Sequence, residues 1–211
     1  MALRVHNWVK FFLAGPVFEA IYPWVPGQPH AELVDQFDDA HLGRVLELCA
    51  GTGYLSRQIA NAHPEAVIDA VDLSPQMIAT GRRRTGELAD RIRFVEGDVG
   101  ALPFDDGEFD AVVVSFGLHE LPAPVRQRAV AEAARVLRPG GWFATVDVDR
   151  PAGVPGLLVD AYLWAMEPPD ASQVCGTGTT ELLTRHGFAV TTHRPASVAK
   201  PTQVVIAERV G

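Results

Sequence analysis

The stretch Val45-Leu-Glu-Leu-Cys-Ala-Gly-Thr-Gly53 determines the predicted fold of this chain of 211 residues. The run Arg44–Cys49 is apolar and rich in strand-forming residues, and the glycines at 51 and 53 bring it to an end. Apolar residues then recur at helical spacing over residues 54–63. A strand, a glycine-rich loop and a helix in direct succession predict the opening unit of an α/β fold.

The same alternation continues along the chain. Further strands are predicted over residues 66–71, 91–95, 110–115 and 142–148, with helices from Ser74-Pro75 and over residues 124–137. A last helix, residues 181–186, precedes two strands, 188–194 and 203–209, whose connection is too short for a crossover helix. We therefore predict a seven-stranded, mostly parallel sheet with helices on both faces and a C-terminal antiparallel hairpin.

The chain before this sheet has a different pattern. Five apolar residues fall at the spacing of one helical face: Val5, Trp8, Val9, Phe12 and Leu13. We expect residues 1–42 to form a helical lid or substrate-binding segment, and residues 43–211 to form the main part of a single globular domain. A helix that only packs on the core is the alternative.

Composition excludes several classes of protein. The formal net charge of −8 argues against a nucleic-acid binder, because neutralising phosphates supplies much of that affinity. The 2 cysteines exclude a disulfide framework and a cysteine-rich zinc site, which indicates a reducing, cytoplasmic compartment. The longest apolar run, residues 11–18, is too short to span a bilayer, so no integral membrane segment is expected.

Three acidic residues follow or end predicted strands, and open parallel sheets bind ligands at those ends. They are Glu47, Asp72 and Asp98. The glycine loop lacks the Lys-Ser/Thr pair of a phosphate-binding P-loop. Asp72 lies where a dinucleotide fold has its ribose-binding acid, so an NAD-dependent oxidoreductase remains an alternative function. Three carboxylates nevertheless suit a cationic nucleoside better than a pyrophosphate.

Five segments together resemble the successive motifs of the class I S-adenosylmethionine-dependent methyltransferases. They are Val45–Gly53, Val71–Met77, Gly97–Phe104, Phe109–Gly117 and Val136–Gly141, and the resemblance covers about residues 42–148. The segment Ser115–Leu118 resembles the ubiquinone/menaquinone C-methyltransferase-like branch. The resemblance implies a Rossmann-like fold, S-adenosyl-L-methionine as cofactor and S-adenosyl-L-homocysteine as product.

The resemblance also implies a set of cofactor-binding residues. They are Glu47, Ala50, Gly51, Gly53, Asp72, Leu73, Met77, Asp98, Val99 and Ser115. Glu47 would lie near the ammonium and sulfonium end, and Asp72 would accept both ribose hydroxyls. Leu73 and Met77 would flank the adenine, and Asp98 would accept from its amino group. Cys49 stands where the family usually has glycine.

Methyl transfer from a sulfonium is an in-line displacement with a neutral leaving group, so proximity and alignment can supply most of the catalysis. If the acceptor must lose a proton, His119 in the loop after the fourth strand is our candidate base. The alternative is a histidine that packs or caps a helix. The other histidines, His30 among them, are expected at the surface.

Aromatic residues outside the motifs are candidates for contacting the acceptor: Trp8, Phe12, Tyr22 and Phe116. If they line a pocket, the acceptor is a small hydrophobic or aromatic molecule. No metal site is predicted, and Asp147 and Asp149 are interpreted as structural.

These observations predict S-adenosylmethionine-dependent C- or O-methylation of a small molecule. Two alternatives stay open: a protein of this fold that binds the cofactor without transferring methyl, and the NAD-dependent oxidoreductase.

Overall fold

The computed structural model describes residues 26–37 and 41–211, so the apolar stripe from Val5 to Leu13 lies outside the described residues. The α-helices are α1 (Pro29–Asp35), α2 (Tyr54–Ala62), α3 (Pro75–Arg84), α4 (Ala123–Val136), α5 (Val154–Met166) and α6 (Gly178–Arg185). The strands are β1 (Arg44–Leu48), β2 (Val67–Asp72), β3 (Ile92–Glu96), β4 (Phe109–Ser115), β5 (Leu137–Val148), β6 (Phe188–Arg194) and β7 (Thr202–Arg209).

The strands form one sheet of 7 in the order β3-β2-β1-β4-β5-β7-β6. The first five pair in parallel, whereas β7 pairs antiparallel with both β5 and β6. The predicted fold class and C-terminal hairpin are therefore confirmed. The strand order reverses between β1 and β4, and open α/β sheets bind ligands in the crevice at such a point.

Two hydrophobic clusters cover the faces of the sheet. Leu33 of α1, Ile59 of α2 and Ile78 of α3 belong to one cluster. Val130 of α4 and Leu183 of α6 belong to the other. Each such side chain stabilises the fold by about 1.5–3 kcal/mol when it is fully buried. The two clusters hold the strands in place, and the strands in turn position the loops at their carboxyl ends.

The structure differs from the sequence prediction where β5 begins. We expected the helix to end at residue 137 and the strand to begin at residue 142, with Pro139-Gly140-Gly141 between them, but β5 starts at Leu137, which pairs with Phe109. A register shift follows, and Gly140 adopts a φ of 72°. The three residues form an irregularity inside the strand, and glycine provides the left-handed conformation that it requires.

In the part of the chain that the structure describes, no helix combines the length and apolar character needed to cross a bilayer.

Candidate functional site

The loop Cys49–Gly53 joins β1 to α2 at the carboxyl edge of the sheet. Gly51 and Gly53 have φ values of 55° and 68°, the left-handed region that glycine adopts most readily. A Cβ on Gly53 would lie 2.6 Å from the ring of Phe94, so no larger residue fits without a shift. The Arg57 guanidinium holds the loop by donating to the Thr52 carbonyl at 2.7 Å.

Cys49 also has a positive φ, 54°, in this loop. A residue with a Cβ is strained in that conformation, which explains why glycine would suit the position. Phe116, at the end of the neighbouring strand β4, has a φ of 52°. Two strained non-glycine residues therefore flank the crevice where the strand order reverses, and strain of this kind clusters at functional sites.

Asp72 ends β2 and connects three parts of the site. Its carboxylate accepts from the Gly51 amide at 2.7 Å and from the Ser74 amide at 2.8 Å. Burial raises the pKa of Asp72, although the amides of Ser74, Gly51 and Leu73 oppose the rise. The predicted ribose-binding acid is thus at the predicted edge, and it also fixes the glycine loop.

Glu47 is buried, and its carboxylate points at the first turn of α2. It accepts from the Ser56 amide at 2.9 Å and from the Ser56 hydroxyl. Burial raises the pKa of Glu47 to about 7, against the hydrogen bonds from Ser56. The structure therefore places this acid below the glycine loop, with Ser56 as its direct partner.

The residues predicted for the adenine side follow β2 and β3, which are neighbours in the sheet. Leu73 is 63% exposed, and Met77 is buried at the start of α3. Asp98 is exposed and accepts from the Gly100 amide at 2.8 Å, and Val99 beside it is buried. An apolar surface and a carboxylate thus lie on one side of the loop.

Ser115, at the end of β4, contacts a residue that the sequence analysis placed at the surface. Its hydroxyl lies 2.6 Å from Nε2 of His30, which is only 3% exposed. Burial lowers the pKa of His30 to about 4. The prediction of a surface histidine was wrong, because α1 packs on the sheet and inserts His30 between Tyr54 and Phe116.

A signal for this burial was present in the sequence. The residues His30, Leu33, Val34 and Phe37 recur at the spacing of one helical face, and all four are buried. The predicted acceptor-contacting residues Trp8, Phe12 and Tyr22 lie outside the described residues, whereas Phe116 is partly buried at the end of β4.

His119 is buried beside Asp147 of β5. The distance from its Nδ1 to Oδ1 of Asp147 is 2.5 Å, and the Asp147 carboxylate also accepts from the amides of Leu118, His119 and Val148. Burial lowers the pKa of His119, but the charge and hydrogen bond of Asp147 outweigh it and raise that pKa. Asp147 is thus buried and hydrogen-bonded to the loop after β4, and the residue that it positions is the candidate base.

Glu120 and Glu167 lie next to His119, and the sequence analysis singled out neither for this cluster. One ligand atom of each of the three side chains lies within 4.8 Å of those of the other two. The hydroxyl of Tyr162 donates to Glu167 at 2.7 Å. Glu167 follows α5, far from His119 in sequence, so no local motif could have joined them.

Residues 45–141 match a family model described as a methyltransferase domain. The chain is 39% identical over 137 residues to a ubiquinone/menaquinone biosynthesis C-methyltransferase of Methylobacterium nodulans. The aligned region covers 63% of this chain and 53% of that protein. It is 35% identical over 150 residues to an uncharacterized methyltransferase of Synechocystis. The aligned region covers 70% of this chain and 67% of the relative.

Among solved structures, the chain is similar to a putative O-methyltransferase from Nostoc punctiforme. The TM-score is 0.79 at 16% identity, with 96% of this chain and 60% of the other covered. The chain spans about half the length of the first curated relatives that it matches.

Proposed function

This chain belongs to the class I S-adenosylmethionine-dependent methyltransferases, in the ubiquinone/menaquinone C-methyltransferase-like branch, and on that premise we propose that it methylates a small hydrophobic or aromatic molecule. The reaction is C- or O-methylation, with S-adenosyl-L-methionine as the methyl donor.

The observation that carries the proposal is the link between Asp72 and the Gly51 amide at 2.7 Å. It joins the carboxyl end of β2 to a loop whose glycines expose the backbone. A nucleoside that spans these two strand ends would meet a carboxylate and bare peptide groups together. Asp72 and Asp98 at these strand ends suit a cationic ligand, because a pyrophosphate would be repelled by the same charges.

When it is bound, S-adenosylmethionine supplies a methyl group on a sulfonium that leaves as a neutral thioether. The task of the chain is then to align the acceptor with that methyl group and to exclude water. Phe116 and Tyr54, with His30 between them, form an aromatic wall at the end of β4 that suits this task.

We propose His119 as the base when the acceptor must lose a proton. Because Asp147 engages Nδ1, the nitrogen that can take the proton is Nε2. Replacing His119 with glutamine should lower turnover by about 10²- to 10⁴-fold and leave the affinity for S-adenosylhomocysteine within twofold of the unmodified protein. Steady-state rates and calorimetry separate the two effects, and unchanged turnover would remove the base from the proposal.

The acceptor is proposed to be apolar because aromatic residues concentrate near the carboxyl edge and in residues 1–42. The described part of that segment, α1, packs into the core through Leu33 and Phe37. We propose that the rest, with Trp8, Phe12 and Tyr22, contacts the acceptor. We also propose a cytoplasmic protein that does not bind nucleic acid, from the net charge of −8 and the unpaired cysteines.

The decisive experiment has two stages. The first titrates the protein with S-adenosylhomocysteine and with NAD, and we expect a single site for the former and no binding of the latter. The second incubates it with S-adenosylmethionine labelled in the methyl group and a set of phenolic and quinol acceptors. Binding of NAD in preference would favour an oxidoreductase. Binding of S-adenosylhomocysteine without label transfer would favour a protein that holds the cofactor only.

A further inference from the structure

The contact between His30 and Ser115 joins α1 to the carboxyl end of β4. The distance from Nε2 of His30 to Oγ of Ser115 is 2.6 Å, which is a hydrogen-bonding distance. His30 is buried, whereas Ser115 is partly exposed. The Ser115 hydroxyl therefore has a buried partner on one side, and its residue is accessible at the edge of the sheet where the strand order reverses.

Packing holds the imidazole of His30 in one place. Its ring centroid lies 4.9 Å from that of Tyr54 and 5.6 Å from that of Phe116. The helix that carries it, α1, is tied to the loop before β7, because the Glu32 carboxylate accepts from Nζ of Lys200 at 3.0 Å. A side chain whose rotamer is fixed by packing can hold a neighbouring functional group in a defined orientation.

A serine hydroxyl needs such a partner if it is to bind a ligand in one orientation. It rotates among three staggered positions, and it can donate one hydrogen bond and accept others. The bond to Nε2 of His30 selects one of these positions. Burial lowers the pKa of His30 to about 4, so the imidazole is neutral at physiological pH and Nε2 either accepts or donates. In both cases the Ser115 hydroxyl keeps hydrogen-bonding capacity for a ligand.

The position of β4 in the sheet indicates which part of the cofactor Ser115 would meet. β4 lies on one side of β1, and β2 and β3, which precede the predicted ribose and adenine contacts, lie on the other. A nucleoside laid across these strand ends with its base over β3 has its opposite end over β1 and β4. The loops after β1 and β4 pack closely there, because a Cβ on Gly117 would lie 2.6 Å from Cβ of Cys49. In S-adenosylmethionine this opposite end is an amino acid, with an ammonium and a carboxylate group.

We propose that His30 is a positioning residue for cofactor binding: it orients the Ser115 hydroxyl, which binds the amino-acid end of S-adenosylmethionine. The inference rests on the proposed function, because it takes S-adenosylmethionine as the ligand. A Ser115 hydroxyl that donates to Nε2 accepts from the ammonium group, and one that accepts from Nε2–H donates to the carboxylate. His30 itself acts only through Ser115, and His119 keeps its separate role at the acceptor.

The test compares two ligands that differ only at that end. S-adenosylhomocysteine carries the amino acid, whereas methylthioadenosine has the same adenosine and thioether but ends in a methyl group. By calorimetry, S-adenosylhomocysteine should bind about 10- to 100-fold more weakly to Ser115→Ala, which loses a hydrogen bond to a charged group, and about 3- to 10-fold more weakly to His30→Leu. Both variants should bind methylthioadenosine within about twofold of the unmodified protein, since the adenosine contacts are unchanged.

Three further variants separate positioning from a general structural effect. His30→Gln keeps a hydrogen-bonding group near the position of Nε2 and should restore most of the affinity that His30→Leu loses. The double variant should bind S-adenosylhomocysteine no more weakly than Ser115→Ala alone, because His30 acts only through that hydroxyl. Val34→Ala is the matched control: Val34 is buried on the same helix, so its truncation loosens the packing of α1 and should leave both affinities unchanged.

Three results would overturn the role of His30: unchanged affinity of His30→Leu for S-adenosylhomocysteine, equal losses for the two ligands, or additive losses in the double variant. Circular dichroism shows whether each variant is folded, and His30→Asn, which is too short to reach Ser115, replaces His30→Leu if that protein does not fold. Any of these results in a protein that binds S-adenosylhomocysteine leaves the proposed function intact. Unmodified protein that binds neither ligand would overturn the proposed function, and this inference with it.

Discussion

Two buried residues of the site, Glu47 and His30, give the folded protein opposite dependences on pH. Burial raises the pKa of Glu47 from 4.5 to about 7, so the folded state keeps a proton that the unfolded state releases. Burial lowers the pKa of His30 from 6.5 to about 4, so the folded state lacks a proton that the unfolded state binds. As pH rises, the first group lowers the free energy of unfolding and the second raises it.

These opposing slopes nearly cancel between about pH 4.5 and 6.5, and single substitutions should reveal them. In Glu47→Gln the stabilising slope of His30 remains, so the free energy of unfolding should rise across this window by roughly 2–3 kcal/mol relative to the unmodified protein. In His30→Gln it should fall by a similar amount. Urea denaturation at three pH values measures both, and parallel curves for all three proteins would contradict the assignment.

Asp72 is the residue at which cofactor binding is most directly tested. Asp72→Ala removes a charged acceptor, and such hydrogen bonds contribute about 1.5–3 kcal/mol, so S-adenosylhomocysteine should bind about 10- to 100-fold more weakly. Asp90→Ala is the control, because Asp90 is exposed and precedes β3 at the opposite edge of the sheet. Calorimetric affinity of Asp72→Ala within twofold of the control would refute the ribose assignment.

Single residues differ in how far the sequence could predict them. Asp72 and the glycines were predictable because a strand end and a loop are local features. The contact of His30 with Ser115 and the pairing of His119 with Asp147 were not, because helix packing and strand order decide which distant side chains meet. The roles of Glu47, Asp72 and Asp98 toward a ligand stay predictions.

At the level of elements, α3 packs closely against the glycine loop. A Cβ on Gly81 would lie 2.8 Å from the Thr52 carbonyl and 2.4 Å from the Phe94 ring. The helix can approach the loop only because this position has no side chain. The same contact sets how far the loop stands from the end of β2.

Gly81→Ala should therefore destabilise the protein by about 1–3 kcal/mol, although alanine is the better helix former. The displaced loop should also weaken S-adenosylhomocysteine binding several-fold. Arg83→Ala on the same helix changes an exposed residue and should alter stability by no more than about 0.5 kcal/mol. Thermal unfolding and calorimetry of the pair test this, and a Gly81→Ala protein as stable as Arg83→Ala would contradict the packing argument.

Most elements followed from sequence because their periodicity is strong and their caps are clear, as at Ser74, whose hydroxyl accepts from the Met77 amide. α5 did not, because apolar residues lie all around it and several stay exposed, Trp164 at 88%. A helix without one apolar face gives no periodic signal.

For the whole molecule, a ligand that binds only the folded state stabilises it by mass action. S-adenosylhomocysteine at about 100 times its dissociation constant should add about 2.7 kcal/mol to the free energy of unfolding. For a domain of this size that corresponds to a rise in melting temperature of about 5–10 °C. Differential scanning calorimetry measures it, with NAD at the same concentration as the control. An equal rise with NAD would contradict the cofactor assignment.

The strand order has a consequence for biosynthesis. β7 follows β6 in the chain, yet it lies between β5 and β6 in the sheet. During translation β6 emerges before β7, which is its only neighbour in the sheet. It therefore cannot form its native strand pairing until β7 has been made. Until then the edge of β5 is open, and unpaired edges are where nascent chains associate wrongly. The sheet therefore stays incomplete beyond β5 until β7 emerges, and chaperones at the ribosome encounter the nascent chain with this edge unpaired.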